Sequence, residues 1–330
     1  MPSAASALIT GITGQDGSFL AELLLARGYA VSGLVHGEPQ RSLGCSEHLR
    51  EQLSLLSGDV LEPASLARAI EQVAPQEVYH LASPSFVPAS WDSPAETLQA
   101  IAGSTATVLE TVRERAPRTR VFVASSGAIF GDAPDSPQRE DTPAHPLTPY
   151  AVAKLASHEL VGLLRERDGL HASSGIAYNH ESERRPERFV TRRVTRAAAA
   201  ISLGLQPDFT LGSLDAVRDW SFAGDIMRAA WLMLQQPQAD DYVLASGVGR
   251  TVAELARTAF ACVDLDFERY VRVDETLVRD PEPTPSVGDP TKAHERLGWH
   301  PELDFEQLVD RMVQADLQAL QATGHVPARP

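Results

Sequence analysis

Apolar and polar residues follow each other in blocks along the first half of the chain, and each block has the length of one structural element. The run ALIT (7–10) is followed by glycines at 11, 14 and 17. From Ser18 the apolar spacing becomes that of an amphipathic helix, so ALITGITGQDGSFLAELLLARGY reads as strand, turn and helix. AVSGLV, LSLLSGDV, EVYHLAS and RVFVASS recur downstream as second to fifth strands, most of them ending in small or polar residues. Strands alternating with helical stretches predict an α/β fold built on a parallel, doubly wound sheet. TVAELARTAF and FEQLVDRMVQADLQAL carry apolar residues at helical spacing and read as core-facing helices. Two proline-rich stretches, DAPDSPQREDTPAHPLTP and DPEPTPSVGDP, read as ordered loops walling a site.

Length adds a second lobe to this picture, because 330 residues exceed one ordinary domain and suit a large α/β unit with an appendage. The boundary is expected near residue 178, with 1–178 binding cofactor and 179–330 mainly binding substrate while returning some chain to the first unit. With 43% hydrophobic residues and no run of about eighteen apolar residues, a soluble protein is expected. Cys45 and Cys262 have no metal-ligand spacing and no signal peptide is evident, so free thiols, a cytoplasmic location and no bound metal are expected. The histidines form no metal array; His80 and His180 read as structural neighbours of the sites. A net charge of −15 opposes attraction to nucleic acid or membrane, so an anionic ligand must be held by local cations. Such cations cluster in 183–196, where six arginines occur (184, 185, 188, 192, 193 and 196). They read either as a solvated face or as partners for a diphosphate.

The glycine turn has the form of a dinucleotide site. Gly11 permits the turn, Gly14 lets backbone N–H groups approach a pyrophosphate, and Gly17 permits close helix packing, with the helix N-terminus favouring the anion. Past the second strand, LVHGEPQR lacks a prompt acidic residue and offers His36 and Arg41, which tilts the choice between NADP and NAD slightly towards NADP. Tyr150 and Lys154, four residues apart, share a helical face, where an ammonium can lower a phenol's pKa as it exchanges a proton during hydride transfer.

The glycine turn together with GDV, HLAS, SSG and YxxxK resembles the extended short-chain dehydrogenase/reductase family. More narrowly, ALITGITGQDGSFLAE, YNHESERRPERFVTRRVTR, LGSLDAVRDW and GDPTKAHERLGW are similar to the GDP-mannose 4,6-dehydratase family over nearly the whole chain. The resemblance implies a Rossmann domain with a smaller C-terminal α/β lobe, a nicotinamide cofactor, a GDP-hexose substrate and a homodimer or homotetramer. By position it assigns Thr10, Gly11, Gly14, Gln15, Asp16, Gly17, Asp59, Val60, Leu81, Ala82 and Ser83 to the cofactor, to which the strand-end reading adds His36, and Ser126, Tyr150 and Lys154 to catalysis, with Tyr150 and Lys154 also touching the cofactor. It assigns Ser85, Asn179, Val190, Arg193, Gly212, Arg218, Arg279 and Glu282 to the substrate, and lets Arg184 and Arg185 reach a neighbouring subunit's cofactor.

One position departs from that pattern. The family's dehydratases carry a glutamate, the base for loss of the C6 hydroxyl, two residues after the position of Ser126; here Ala128 stands there. A methyl group cannot move a proton. Reduction of a 4-keto sugar or epimerisation at C4 needs no carboxylate at this place. Segments such as HLASPSFVPASWDSPAETL and SSGAIFG are also similar to GDP-4-keto-6-deoxymannose reductases. A dehydratase would need another base, for which Glu140 and Asp141 are the nearby choices; a binding protein without turnover is a further alternative.

Overall fold

The computed structural model describes residues 5–38, 42–277 and 285–322. Among these, the strands in chain order are β1 (Ser6–Thr10), β2 (Ala30–Val35), β3 (Ser54–Ser57), β4 (Glu77–His80), β5 (Arg120–Ala124), β6 (Ala172–Ala177), β7 (Asn179–Glu181), β8 (Phe209–Leu211), β9 (Val217–Phe222), β10 (Tyr242–Leu244), β11 (Gly249–Thr251) and β12 (Val271–Val273). The helices are α1 (Gln15–Ala26), α2 (Pro63–Val73), α3 (Pro94–Leu98), α4 (Ser104–Arg115), α5 (Pro149–Asp168), α6 (Val190–Ser202), α7 (Ala223–Gln235), α8 (Val252–Ala261), α9 (Phe267–Tyr270), α10 (Thr291–Leu297) and α11 (Phe305–Ala322).

Seven strands form one parallel sheet in the order β10-β6-β5-β4-β1-β2-β3. Most of its strands are buried along nearly their whole length because both faces are covered. On one side Leu20 and Leu24 of α1 pack with Ile226 and Met233 of α7 and with Trp299. On the other, Leu66 and Ile70 of α2 meet Val108 and Val112 of α4 and Val161 of α5. The chain runs outward from β1 to β3 and then returns to β4 on the other side of β1. This reversal opens a crevice at the carboxyl ends of β1 and β4, the place where doubly wound sheets bind ligands.

The smaller lobe has a three-stranded sheet, β11-β9-β7, and the pair β12-β8. Val194 and Ala198 of α6, Phe260 of α8, Val309 and Val313 of α11 and Trp220 of β9 form its core. α7, β10 and α10 lie beyond residue 178 and nonetheless pack on the main sheet. No described helix is long and apolar enough to cross a membrane, and both cysteines are free.

Candidate active site

The turn after β1 is built by close backbone approach. Gly11 has φ of +76°, and a Cβ there would lie 2.8 Å from the backbone nitrogen of Ala82; a Cβ on Gly17 would collide with the carbonyl oxygen of Gly11. Gly14 differs. A Cβ there would meet only the Gly11 oxygen at 3.4 Å, so the backbone at Gly14 faces open space. Gly14 caps α1 with no side-chain hydrogen bond, which leaves N–H groups of the first turn for an anion. The open glycine, uncapped helix end and crevice fit the diphosphate of a nicotinamide cofactor. The Thr10 hydroxyl is buried, meets His80 Nδ1 at 2.9 Å and accepts the N–H groups of Leu81 and Ala82, so it holds β1 to the end of β4. Beyond β2, His36 Nδ1 is 3.3 Å from Asp59 Oδ2, and Asp59 Oδ1 accepts the N–H of Leu61. Val60 packs against the core behind the crevice.

Ser126, Tyr150 and Lys154 meet across the end of β5 and the first turns of α5. Thr148 caps α5 by accepting the Ala151 N–H, and Pro149 occupies the first turn, where its missing donor costs nothing. That fixes Tyr150 at the mouth and Lys154 one turn deeper. The Lys154 ammonium donates to Ala124 O at 2.7 Å and to Ser83 Oγ at 3.1 Å. Burial lowers its pKa to about 8, with Asp16 pulling the other way. Burial also raises the Tyr150 phenol, against a hydrogen bond with Ser126 that lowers it. Ser126 Oγ in turn accepts the N–H of Ala128 at 3.2 Å.

No described carboxylate replaces the missing one at position 128. Glu140 Oε1 accepts the N–H of Val243 in β10, and the exposed Asp141 pairs with Arg139. Glu140 also lines a concavity of about 720 Å³ at the β10 edge with Arg139, Tyr242, Lys292 and Arg296, a surface that contains none of Ser126, Tyr150 and Lys154. Asp16 does reach Tyr150 and Lys154 electrostatically, but His180 holds it, with its pKa lowered to about 2. A carboxylate so acidic is a poor base near neutral pH.

The substrate assignments divide. Asn179 opens β7, Val190 and Arg193 lie in the first turn of α6, and Arg218 lies in β9. Ser85 is exposed, and the adjacent Phe86 meets Phe189 edge-on with ring centroids 5.7 Å apart. Gly212 is packed rather than open: a Cβ would lie 2.6 Å from the carbonyl oxygen of Leu277. Arg279 and Glu282 lie outside the described residues, as does Arg41. The arginine cluster is largely consumed within the chain. Arg184 donates to Ser18 and Glu22, Arg185 pairs with Glu181 and lies over Phe189, Arg192 pairs with Asp316, and Arg196 pairs with Glu187. Arg184 and Arg185 thus have partners in their own chain.

Ser182, unassigned from the sequence, joins Gln15, Asp16 and His180 in tying the glycine turn to the lobe. Gln15 Nε2 donates to Asp16 and to the carbonyl of His180, and its Oε1 accepts from Ser182. His180 meets Asp16 Oδ2 at 3.0 Å and the carbonyl of Tyr178 at 2.7 Å. The only available signal was the polar string Gln-Asp inside the glycine turn, facing another polar string at 179–182.

The family model described as GDP-mannose 4,6 dehydratase matches residues 8–312. "GDP-mannose 4,6 dehydratase 2" of Arabidopsis thaliana is 43% identical over 324 residues, covering 94% of this chain and 87% of that protein. "GDP-mannose 4,6-dehydratase" of Yersinia enterocolitica is 39% identical, covering 94% of each. Among solved structures, RMD from Pseudomonas aeruginosa complexed with NADPH superposes with a TM-score of 0.81 at 24% identity, covering 96% of this chain and 100% of that one. A Thermotoga maritima UDP-glucose 4-epimerase with UDP-glucose gives 0.84 at 23% identity, covering 96% and 99%.

Proposed function

The chain belongs to the GDP-mannose 4,6-dehydratase family, and on that premise we propose that it transfers hydride at C4 of a GDP-hexose, reducing a 4-keto-6-deoxy sugar or epimerising C4. NAD(P)-dependent nucleotide-sugar chemistry is the family's own. The observation that carries the narrower reading is the methyl group of Ala128 beside an assembled Ser126, Tyr150 and Lys154.

The residues proposed to hold the cofactor are the backbone of Gly11 to Gly17 for the diphosphate, His36 and Asp59 for the adenosine end, and Lys154 for the nicotinamide ribose. When bound, the nicotinamide supplies or takes up hydride at C4. Tyr150 handles the proton. Its raised pKa keeps the phenol protonated near neutral pH, which suits donation to a C4 oxygen becoming an alcohol. Ser126 hydrogen-bonds the phenol and can share the same substrate oxygen, while the Lys154 ammonium stabilises the phenolate left behind. The lysine is charged below about pH 8.

Dehydration of GDP-mannose is the second reading, favoured by the names of relatives at about 40% identity. The separating experiment incubates the protein with GDP-mannose, and separately with GDP-4-keto-6-deoxymannose and NADPH, following product mass. Uptake of two hydrogens by the keto sugar supports reduction, and conversion of GDP-mannose to an isomer of unchanged mass, resolved by chromatographic retention, supports epimerisation. Loss of water from GDP-mannose overturns the reading drawn from Ala128.

A further inference from the structure

The structure assigns Tyr178 as a positioning residue, a buried plate held between the catalytic turn and the substrate lobe, with Gly127 and Gly288 as the two positions where an added side chain would press on its ring. This rests on the C4 chemistry proposed above and adds what sets Ser126 in place for it.

Tyr178 is 3% exposed and follows β6 at the point where the chain leaves the main sheet for the lobe. A Cβ on Gly127 would stand 3.0 Å from the Cε1, Cε2 and Cζ atoms of its ring. A Cβ on Gly288 would stand 2.7 Å from Cε2. Gly127 lies between Ser126 and Ala128, so the face of the ring is the floor on which that turn rests. The ring belongs to one buried cluster with Ile129, Phe130, Ala133, Ile176, Val243 and Ala245. It is therefore fixed from all sides, and its position is transmitted to Ser126 by contact.

The far end of the ring carries a second connection. Its hydroxyl donates to Gln138 Oε1 at 2.7 Å, and Gln138 is 2% exposed. Gln138 N donates to the Val287 carbonyl, the Asp289 N–H returns to the Gln138 carbonyl, and Gln138 Nε2 donates to Asp135 and Pro285. The backbone N–H, the backbone carbonyl and Nε2 of Gln138 thus join the 132–148 loop to residues 285–289, and its Oε1 ties that junction to Tyr178 beneath the catalytic turn. Its backbone carbonyl receives the Nδ1–H of His180, and Asn179 is the next residue. Burial raises its phenol far beyond the working range, so the role is mechanical and not one of proton transfer.

Two ends predict two separable effects. Gly127→Ala lifts the Ser126 turn off the ring and should lower kcat at least about 10-fold with KM little changed. Tyr178→Phe keeps the plate and removes the hydroxyl that orders Gln138; it should raise KM about 5-fold with kcat little changed. The decisive measurement is a cycle with Tyr178→Leu, which removes the ring atoms that a Cβ at 127 would strike. Gly127→Ala/Tyr178→Leu should then be no slower than Tyr178→Leu alone. Independent, multiplying losses in kcat would overturn the assignment, as would a Tyr178→Phe variant whose only change is in melting temperature. Should the wild-type protein turn over no 4-keto sugar, the reading of its chemistry fails. The positioning role is then read from GDP-mannose affinity by calorimetry: about 5-fold weaker binding by Tyr178→Phe supports it and unchanged affinity overturns it.

Discussion

His180 lies between two oxygen atoms that can only accept: Nε2 is 3.0 Å from Asp16 Oδ2, and Nδ1 is 2.7 Å from the carbonyl oxygen of Tyr178. Both contacts are hydrogen bonds only if both ring nitrogens carry hydrogen, so the geometry describes an imidazolium facing a carboxylate. Burial works against each charge, yet their attraction outweighs it. His180 titrates above its ordinary 6.5, and Asp16 is lowered from 3.8 to about 2.

A pH window follows. The histidine's contribution is complete below its ordinary value and is lost as pH rises through the raised one. The aspartate's is complete above its ordinary value and is lost as pH falls through about 2. His180→Gln should therefore unfold more easily by about 1–3 kcal/mol near pH 6, since it leaves Asp16 without its cation. The deficit should narrow as the solution becomes alkaline. Urea unfolding of both proteins across that range measures it, and a deficit independent of pH would contradict the charged pair.

Tyr150 and Lys154 should separate chemistry from binding. Tyr150→Phe is expected to lose about 10²- to 10⁴-fold in turnover while retaining cofactor affinity, because only the proton-transfer group is removed. Lys154→Met should weaken both. Wild-type affinity for NADPH, followed by fluorescence, should itself fall as pH rises through about 8, where the buried lysine loses its charge. A flat affinity across that pH would show that the ammonium is not a cofactor contact.

Position 128 offers a gain of function. Ala128→Glu puts a carboxylate two residues beyond Ser126 in a turn whose backbone is already held by the Ala128 N–H to Ser126 Oγ bond. General acid–base groups contribute about 10²- to 10⁴-fold, so the variant should release water from GDP-mannose at a rate the parent does not approach. Product mass is the readout. Equal dehydration by parent and variant would mean that the parent owns another base.

Much of this architecture was legible in the residues, and the rest was hidden for physical reasons. Buried parallel strands read as unbroken apolar runs, so β1 to β5 and the glycine turn stood out, and helical spacing put Tyr150 beside Lys154. β7, β8 and β11 are three residues each, too short for any period to show. That the Thr10 hydroxyl is a buried hydrogen-bond hub and that Gly212 packs on Leu277 depends on neighbours distant in sequence. The arginines of 184–196 offered charge without direction. Two of their partners, Glu22 for Arg184 and Asp316 for Arg192, are more than a hundred residues away in sequence, and only the fold brings them together.

One of those arginines gives the last prediction. Arg192 of α6 meets Asp316 of α11 at 2.8 Å, with the carboxylate fully buried and Thr195 donating to its other oxygen. Burial pushes Asp316 up despite the arginine, so the pair does not fully offset the desolvation of its carboxylate. Arg192→Leu leaves that carboxylate unpaired and should cost about 3–5 kcal/mol, whereas Arg192→Leu/Asp316→Leu, which removes both charges, should recover most of the loss. Denaturant unfolding of the single and double variants measures the difference. GDP-mannose affinity of the folded double variant should match the parent, because Arg192 serves the α6–α11 contact; a loss of affinity without a loss of stability would return Arg192 to the substrate.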